Sequence, residues 1–284
     1  MKTITKIILI AASCAAMAAC GGKGDDGIPE GKYADKAASY DLTSDLVLSD
    51  GTSLTDIEFT GDGEAIITKE SGTIKKATIT TYDFSSTKST KGTYTVKGFG
   101  TVEVDGTNLT ITEGGKKLGP VSANVKLIDS GLRNADKQFF HTWKVDRTIL
   151  LVKGGTFGTV GVGKTFDGCN ATAIANYIKD QGVTIEDIDT ISGYSVKTIT
   201  LSPTGTIAIE FSNPDNNYLG TWGYSGGAFR YAMTIGVNNS IINTNATGTA
   251  TIKGKKAELV IKGTFTVNGV TYDTQVEFTL SVAK

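Results

Sequence analysis

From about residue 40 the chain alternates apolar and polar residues in short runs. Ile57 and Phe59 share a face, as do Ala77 and Ile79, Tyr94 and Val96, Val102 and Val104, and Leu109 and Ile111. Val121, Ala123, Val125 and Leu127 end this series at a period of two. Turn residues separate the runs: Ser49-Asp50-Gly51, Gly61-Asp62-Gly63 and Asp105-Gly106-Thr107-Asn108. Period-two alternation between such turns predicts a meander of half-buried antiparallel strands. The polar stretch from Asp129 to Lys137 breaks the pattern and marks a domain boundary.

A second series follows. Phe139, His141, Trp143 and Val145 fall on one face of its first strand. Ile207, Ile209 and Phe211 alternate with Thr206, Ala208 and Glu210, and Phe229, Tyr231, Met233, Ile235 and Val237 alternate in the same way. Val276, Phe278, Leu280 and Val282 close the chain. The fold class is therefore mainly β, with two antiparallel β-rich domains at 34–130 and 138–284, the second a barrel or sandwich by its spacing.

One segment has a different period. Ala171, Ile174, Tyr177 and Ile178 are spaced for one face of a helix over about 170–181. Asn170 is placed to cap it and Gly182 to end it. The helix could close one end of a barrel or pack outside it. A weaker signal is a Gly-Thr-aromatic run that occurs twice, at Gly92-Thr93-Tyr94 and Gly220-Thr221-Trp222, which suggests related domains.

Composition narrows the chemistry. The 284 residues are 39% hydrophobic, with 35 Gly and 4 Pro, which suits many strands and tight turns. The formal net charge of −1 gives no basic field for nucleic acid. One histidine, His141, and three cysteines, Cys14, Cys20 and Cys169, are too few for zinc fingers, iron–sulfur clusters or multi-histidine metal sites. No cofactor is expected.

The start of the chain reads as an address. Lys2 and Lys6 precede an apolar run from Ile7 to Ala12, then small residues, the layout of a secretory signal with a run too short to span a membrane. Met17-Ala18-Ala19-Cys20 followed by Gly21-Gly22 resembles the bacterial lipoprotein signal. That resemblance implies that residues 1–19 are removed, that Cys20 is acylated, and that its lipid anchors the chain in a membrane. Residues 20–33 then form a tether. Its Asp25-Asp26 run resembles the surface-export signal of Bacteroidetes lipoproteins. The expected location is the outer membrane, on the cell surface or on the periplasmic face.

Phe140-His141-Thr142-Trp143-Lys144-Val145-Asp146, the run Ser195–Gly205 and Gly220-Thr221-Trp222-Gly223-Tyr224 resemble the lipocalin-like domains of Bacteroidetes lipoproteins. The resemblance covers 138–284 and only faintly 34–130. His141 stands where lipocalins proper carry glycine. The resemblance implies a C-terminal barrel or half-barrel with an interior pocket, and His141, Trp143, Phe211, Trp222 and Tyr231 are its candidate lining. The expected function is a non-enzymatic binding module for a small apolar molecule or a glycan. The alternative is a structural or interaction component of an envelope complex, with protein partners and no pocket.

Other motifs point elsewhere. Gly158-Thr-Val-Gly-Val-Gly-Lys-Thr165 matches the phosphate-binding loop at every fixed position. That loop must join a buried parallel strand to a helix opening at its Lys-Thr, whereas the flanking strands read antiparallel and the helix is delayed to about Asn170. The segment is read as a Gly-rich connection with Lys164 facing solvent, and no nucleotide is expected. His141 could act as a general base, but spacing ties no Ser or Asp to it. Glu186-Asp187-Ile188-Asp189 lacks the spacing of a calcium-binding loop and reads as a solvated turn, as does Ser212–Asn217.

Overall fold

The computed structural model describes residues 31–71, 74–88, 91–127, 137–154, 159–160, 164–182, 191–225, 228–237, 240–253, 255–267 and 270–283. Side chains at 152–154, 159–160, 224–225, 228–237, 240–247 and at scattered positions elsewhere are not described. Contacts divide the chain into two units: Glu30–His141 with Ser202–Thr204, and Thr142–Leu201 with Gly205–Lys284.

The first unit holds β1 (Ala38–Val47), β2 (Ser53–Phe59), β3 (Glu64–Ser71), β4 (Ile74–Lys88), β5 (Lys91–Val96), β6 (Gly100–Asp105), β7 (Asn108–Glu113) and β8 (Lys116–Leu127). Each strand pairs antiparallel with the next, and β1 pairs with β8, so the meander is a closed barrel. The predicted turns lie at its hairpins. Gly63, for example, takes a φ of +86°, a conformation that costs glycine nothing.

An eight-stranded barrel is just wide enough for its own side chains, and here they fill it. Phe59 is fully buried at the centre. It stacks on Tyr94, with ring centroids 3.6 Å apart, and meets Tyr82 and Tyr40 edge-on at 5.1 and 6.0 Å. Leu54, Ile57, Ile67, Val102, Leu109 and Ile111 complete the core. The Tyr82 hydroxyl, buried among them, donates to Thr60 O at 2.7 Å.

Three details differ from the sequence reading. Tyr33, expected in the tether, stacks on Tyr82 at 5.1 Å, and its N–H donates to Gly61 O at 2.8 Å. The barrel therefore reaches back to Gly31, whose missing Cβ would meet Gly61 O at 2.4 Å. Ala77 and Ile79 do share a face, but cross-strand pairing with Thr68 and Ile66 puts it outside the barrel. The interior positions of β4 are Tyr82 and Phe84. Leu127, the last of the period-two run, is 64% exposed because it lies at the end of the β1–β8 ladder.

The second unit holds β9 (Thr142–Gly154), β10 (Thr159–Val160), β11 (Thr165–Asp167), α1 (Ala171–Asp180), β12 (Val196–Leu201), β13 (Thr206–Phe211), β14 (Tyr218–Ser225), β15 (Ala228–Val237), β16 (Ser240–Lys253), β17 (Lys256–Val267) and β18 (Val270–Val282). The ladder runs β9-β12-β13-β14-β15-β16-β17-β18, and the sheet curls until β18 pairs back along β9. Both β10 and β11 also pair with β9. The register of β9 against β18 shifts at Asp146, so the buried set changes parity from Trp143 and Val145 to Thr148 and Leu150. The bulged Asp146 is held by Ser281 Oγ at 2.9 Å and Lys256 Nζ at 3.1 Å.

Helix α1 forms where the period predicted. The Asn170 side chain accepts from Ala173 N at 3.0 Å, and Gly182, at φ +85°, donates its N–H to Lys179 O at 2.9 Å. Ala171, Ile174, Ala175 and Ile178 are buried, and Tyr177 is half-buried with its ring edge-on to Phe166.

Phe59→Ala would empty the centre of the first barrel. The expected loss is about 3–5 kcal/mol, read as a lower urea midpoint in equilibrium unfolding. A loss under about 1 kcal/mol would mean that the aromatic cluster is not the core of this unit.

Candidate functional site

The sequence places His141 on a strand face with Trp143. The structure instead puts it ahead of β9, which begins at Thr142, and groups it with the first unit. Phe139 likewise lies in a short 3-10 turn, Lys137–Phe139. His141 has an acidic partner that spacing could not reveal. Its Nδ1 lies 2.9 and 3.1 Å from the two carboxylate oxygens of Asp62, in the Gly61-Asp62-Gly63 turn between β2 and β3. A carboxylate can only accept, so the ring proton sits on Nδ1 and the tautomer is fixed.

Other polar side chains of the same unit are buried with them. Thr204 Oγ1 donates to Glu58 and lies 3.1 Å from Ser202 Oγ, and all three residues are buried. Thr60 Oγ1 accepts from Glu64 N at 3.1 Å. A His–Asp pair is the orienting half of a nucleophilic triad. Here the imidazole is only 3% exposed and the Asp62 side chain 9%, so both groups are shielded from solvent. What the arrangement does is tie the β2–β3 turn to the segment before β9.

Next to this cluster the outer face of β1 and β2 carries three carboxylates. Asp41 and Asp56 are direct cross-strand partners, and Glu58 lies two residues along on the same face. Like charges in those positions repel. Burial, then the charge of Glu58, pushes the Asp56 carboxyl up to about 7, while a hydrogen bond from Ser39 Oγ at 3.0 Å opposes the rise.

The other proposed lining residues belong to the second unit. Trp143, Phe211 and Trp222 are all buried. Trp143 pairs with Ile199, Phe211 with Val196, and Trp222 is the cross-strand partner of Tyr231. The Tyr231 side chain lies outside the described residues. Two residues that the sequence did not single out join Phe211: Tyr194 and Tyr218 both meet its ring edge-on, at 5.9 and 5.3 Å. Burial pushes both phenols above their ordinary range. The signal for them was Tyr218 opening a strand at the end of the Pro-Asp-Asn turn.

The phosphate-loop match takes a different shape. Thr159–Val160 and Thr165–Asp167 both pair antiparallel with β9, so Lys164-Thr165 leads into a strand, and the helix opens only at Ala171. Lys164 is exposed, with its ammonium 5.7 Å from the Phe166 ring and 5.3 Å from that of Tyr177. Gly158, Gly161 and Gly163 lie outside the described residues, as does the acidic run Glu186–Asp189. The Ser212–Asn217 segment is a turn whose Asn213 side chain accepts from Asp215 N. Cys169 is buried, and burial pushes its thiol up to about 11. Among the described residues no group of three or more His, Cys, Asp or Glu side chains could hold a metal ion.

Fold and site together define an antiparallel β protein of two units, one of them a closed and filled barrel. No protein-family model and no curated protein matches the chain. A crystal structure of a porin-like protein from Bacteroides uniformis aligns over 89% of this chain and 98% of its own at 11% identity. The TM-score of 0.20 is below that of chains sharing a fold.

Asp56 makes stability depend on pH. Its folded value near 7 exceeds the ordinary 3.8, so the folded chain holds this proton more tightly than the unfolded one. The contribution is fully present below about pH 4 and is lost as pH rises through 7. Asp56→Asn is expected to unfold at higher urea than the parent at pH 8, the gap closing towards pH 4. Parallel curves across that window would show that Asp56 titrates normally.

Proposed function

We propose that this chain is a lipid-anchored envelope protein that binds a small apolar molecule or a glycan through its second unit, without catalysis. One observation carries the binding reading: Trp222 is buried on β14 and stands directly across the ladder from Tyr231 on β15. Trp and Tyr at paired positions of a curled sheet are the residue types on which sugars and flat apolar ligands stack where such rings line a pocket. The anchor rests on Cys20 and the signal-like residues before it. A second reading, a structural or interaction body, is favoured for the first unit, because its interior is occupied by its own aromatic side chains.

Two experiments test this. Cys20→Ser, expressed in a diderm bacterium, is expected to move from the membrane to the soluble fraction and to lose labelling by radioactive palmitate; retention of both would remove the anchor. The purified Cys20→Ser chain is expected to bind an apolar naphthalene dye saturably, and Trp222→Ala to weaken that binding by about tenfold, near 1.4 kcal/mol. If the dye finds no saturable site, or the variant binds as the parent does, the binding reading fails.

A further inference from the structure

In the second unit two hairpins part company. The β16–β17 ladder runs from Lys253↔Lys256 to Thr247↔Lys262 and stops there. Neither strand stops with it. From Ala246 back to Ser240, β16 stays paired with β15, and from Gly263 to Val267, β17 stays paired with β18. No register shift interrupts either ladder, and among the described residues neither stretch pairs with a further strand. The sheet is thus split between β16 and β17 beyond Thr247 and Lys262, with a strand edge on each side of the split.

The pairing says which backbone groups line the split. Val237↔Ser240 and Val267↔Val270 close two-residue hairpins, so each of those pairs exchanges both N–H···O bonds. Every second residue from Ser240 then bonds to β15, and every second residue back from Val267 bonds to β18. The alternate residues turn their N–H and C=O the other way: Ile241, Asn243 and Asn245 on β16, Thr264 and Thr266 on β17. The same alternation gives Thr247 and Lys262 to each other, and theirs is the last pair the ladder keeps. These edges are not blunted. No residue from Tyr231 to Ile252 or from Gly263 to Tyr272 is Asp, Glu, Lys, Arg, His or Pro, whereas edges left to water are protected by charge, proline or a bulge. On the β17 side, Gly263–Val267 gives about 17 Å of edge.

We propose that the split is a slot for one extended strand of a partner protein, alternating apolar and uncharged polar residues. Unpaired strand backbone selects extended main chain. Two edges that diverge from one ladder end suit a single strand, which pairs with both, better than the edge of a second sheet. The two faces set the guest's sequence. Ala246 and Gly263 flank the split on the face that carries the buried Leu259 and Val276, and further along that face come Ile242 on β16 and Phe265 and Val267 on β17. Guest residues on that side are therefore apolar. On the opposite face the flanking positions are Asn243, Asn245, Thr264 and Thr266, which favour Thr or Asn beside them.

The test uses the soluble Cys20→Ser chain and two capped, fluorescently labelled heptapeptides of one composition. The first alternates threonine and valine; the second has the same residues in two blocks. Amide exchange read by NMR should find Ile241, Asn243, Asn245, Thr264 and Thr266 fast in the free protein, with Ile242, Thr244 and Phe265 between them slow. The alternating peptide should protect the fast set and bind about tenfold tighter than the block peptide. Methylating its threonine amides strips donors from the guest while leaving the protein untouched, and should weaken binding by about tenfold. Thr264→Pro removes a donor from the β17 edge and should do the same. Slow exchange at all five positions in the free chain would overturn the proposal, as would equal binding of the two peptides or no saturable binding of the first. A dimer of the free chain that Thr264→Pro dissolves in sedimentation would overturn it differently, by giving the edges to a second copy.

Discussion

Everything about the first unit follows from the position of Phe59. A closed barrel of eight strands has an interior about as wide as the side chains that line it. Phe59, stacked on Tyr94 and flanked by Tyr82 and Tyr40, occupies the middle of that space. The phenolic groups that come with such a cluster must find partners when buried, and the Tyr82 hydroxyl does, on Thr60 O. The same packing fixes the β2–β3 turn, since Tyr33 lies on Tyr82 and hydrogen-bonds Gly61. Asp62, one residue further, is thereby presented to His141. A filled interior leaves the outer surface as the place where this unit can meet another molecule.

Local features were legible in the sequence, and distant pairings were not. Asn170 and Gly182 bound a ten-residue helix because capping is a contest between neighbouring groups. The Gly-Asp-Gly turn was equally plain. The partnership of His141 and Asp62 spans 79 positions, and nothing in the alternation of either segment encodes it. Period-two patterns say which residues share a face, not which face is inside. Ala77 and Ile79 alternate like core residues, yet Tyr82 and Phe84, of the opposite parity on the same strand, supply the interior, so the earlier pair falls outside. Of the proposed lining residues, Trp222 and Tyr231 do stand together, because both follow from strands paired in sequence order.

The loop that matched a phosphate-binding motif illustrates how little letters mean without backbone. Gly, Lys and Thr bind phosphate when the chain turns from a strand into a helix and aims its amides at one point. In this chain Thr165 pairs with Ile149 in an antiparallel ladder, which commits its backbone to a neighbouring strand. Lys164, freed from any such role, lays its charge near two aromatic rings, where an exposed cation contributes about 0.5–1 kcal/mol.

Two bulges bend their strands in different surroundings. At Asp146 the extra residue flips the buried set of β9 by one position, and the bulged side chain is clamped at once by Ser281 and Lys256. Its neighbours Val145 and Arg147 keep their partners on β18, so the ladder closes again beyond it. Between Asp41 and Leu46 the chain also leaves register with its neighbour, and on the other side the ladder to β8 ends at Leu42, with Thr43 Oγ1 donating to Ser122 O at 3.0 Å just beyond it. On β8, Pro120 has no N–H to offer and Gly119 sits at φ +92°. The first bulge re-aims a strand inside a continuous sheet. The second coincides with the end of a ladder, over the half-buried Leu42 and Leu46. Natural barrels abolish edges by closing, and here β1 and β8 close the sheet from Ala38↔Leu127 to Leu42↔Ala123, so the bulge of β1 bends a strand whose neighbours on both sides are already set.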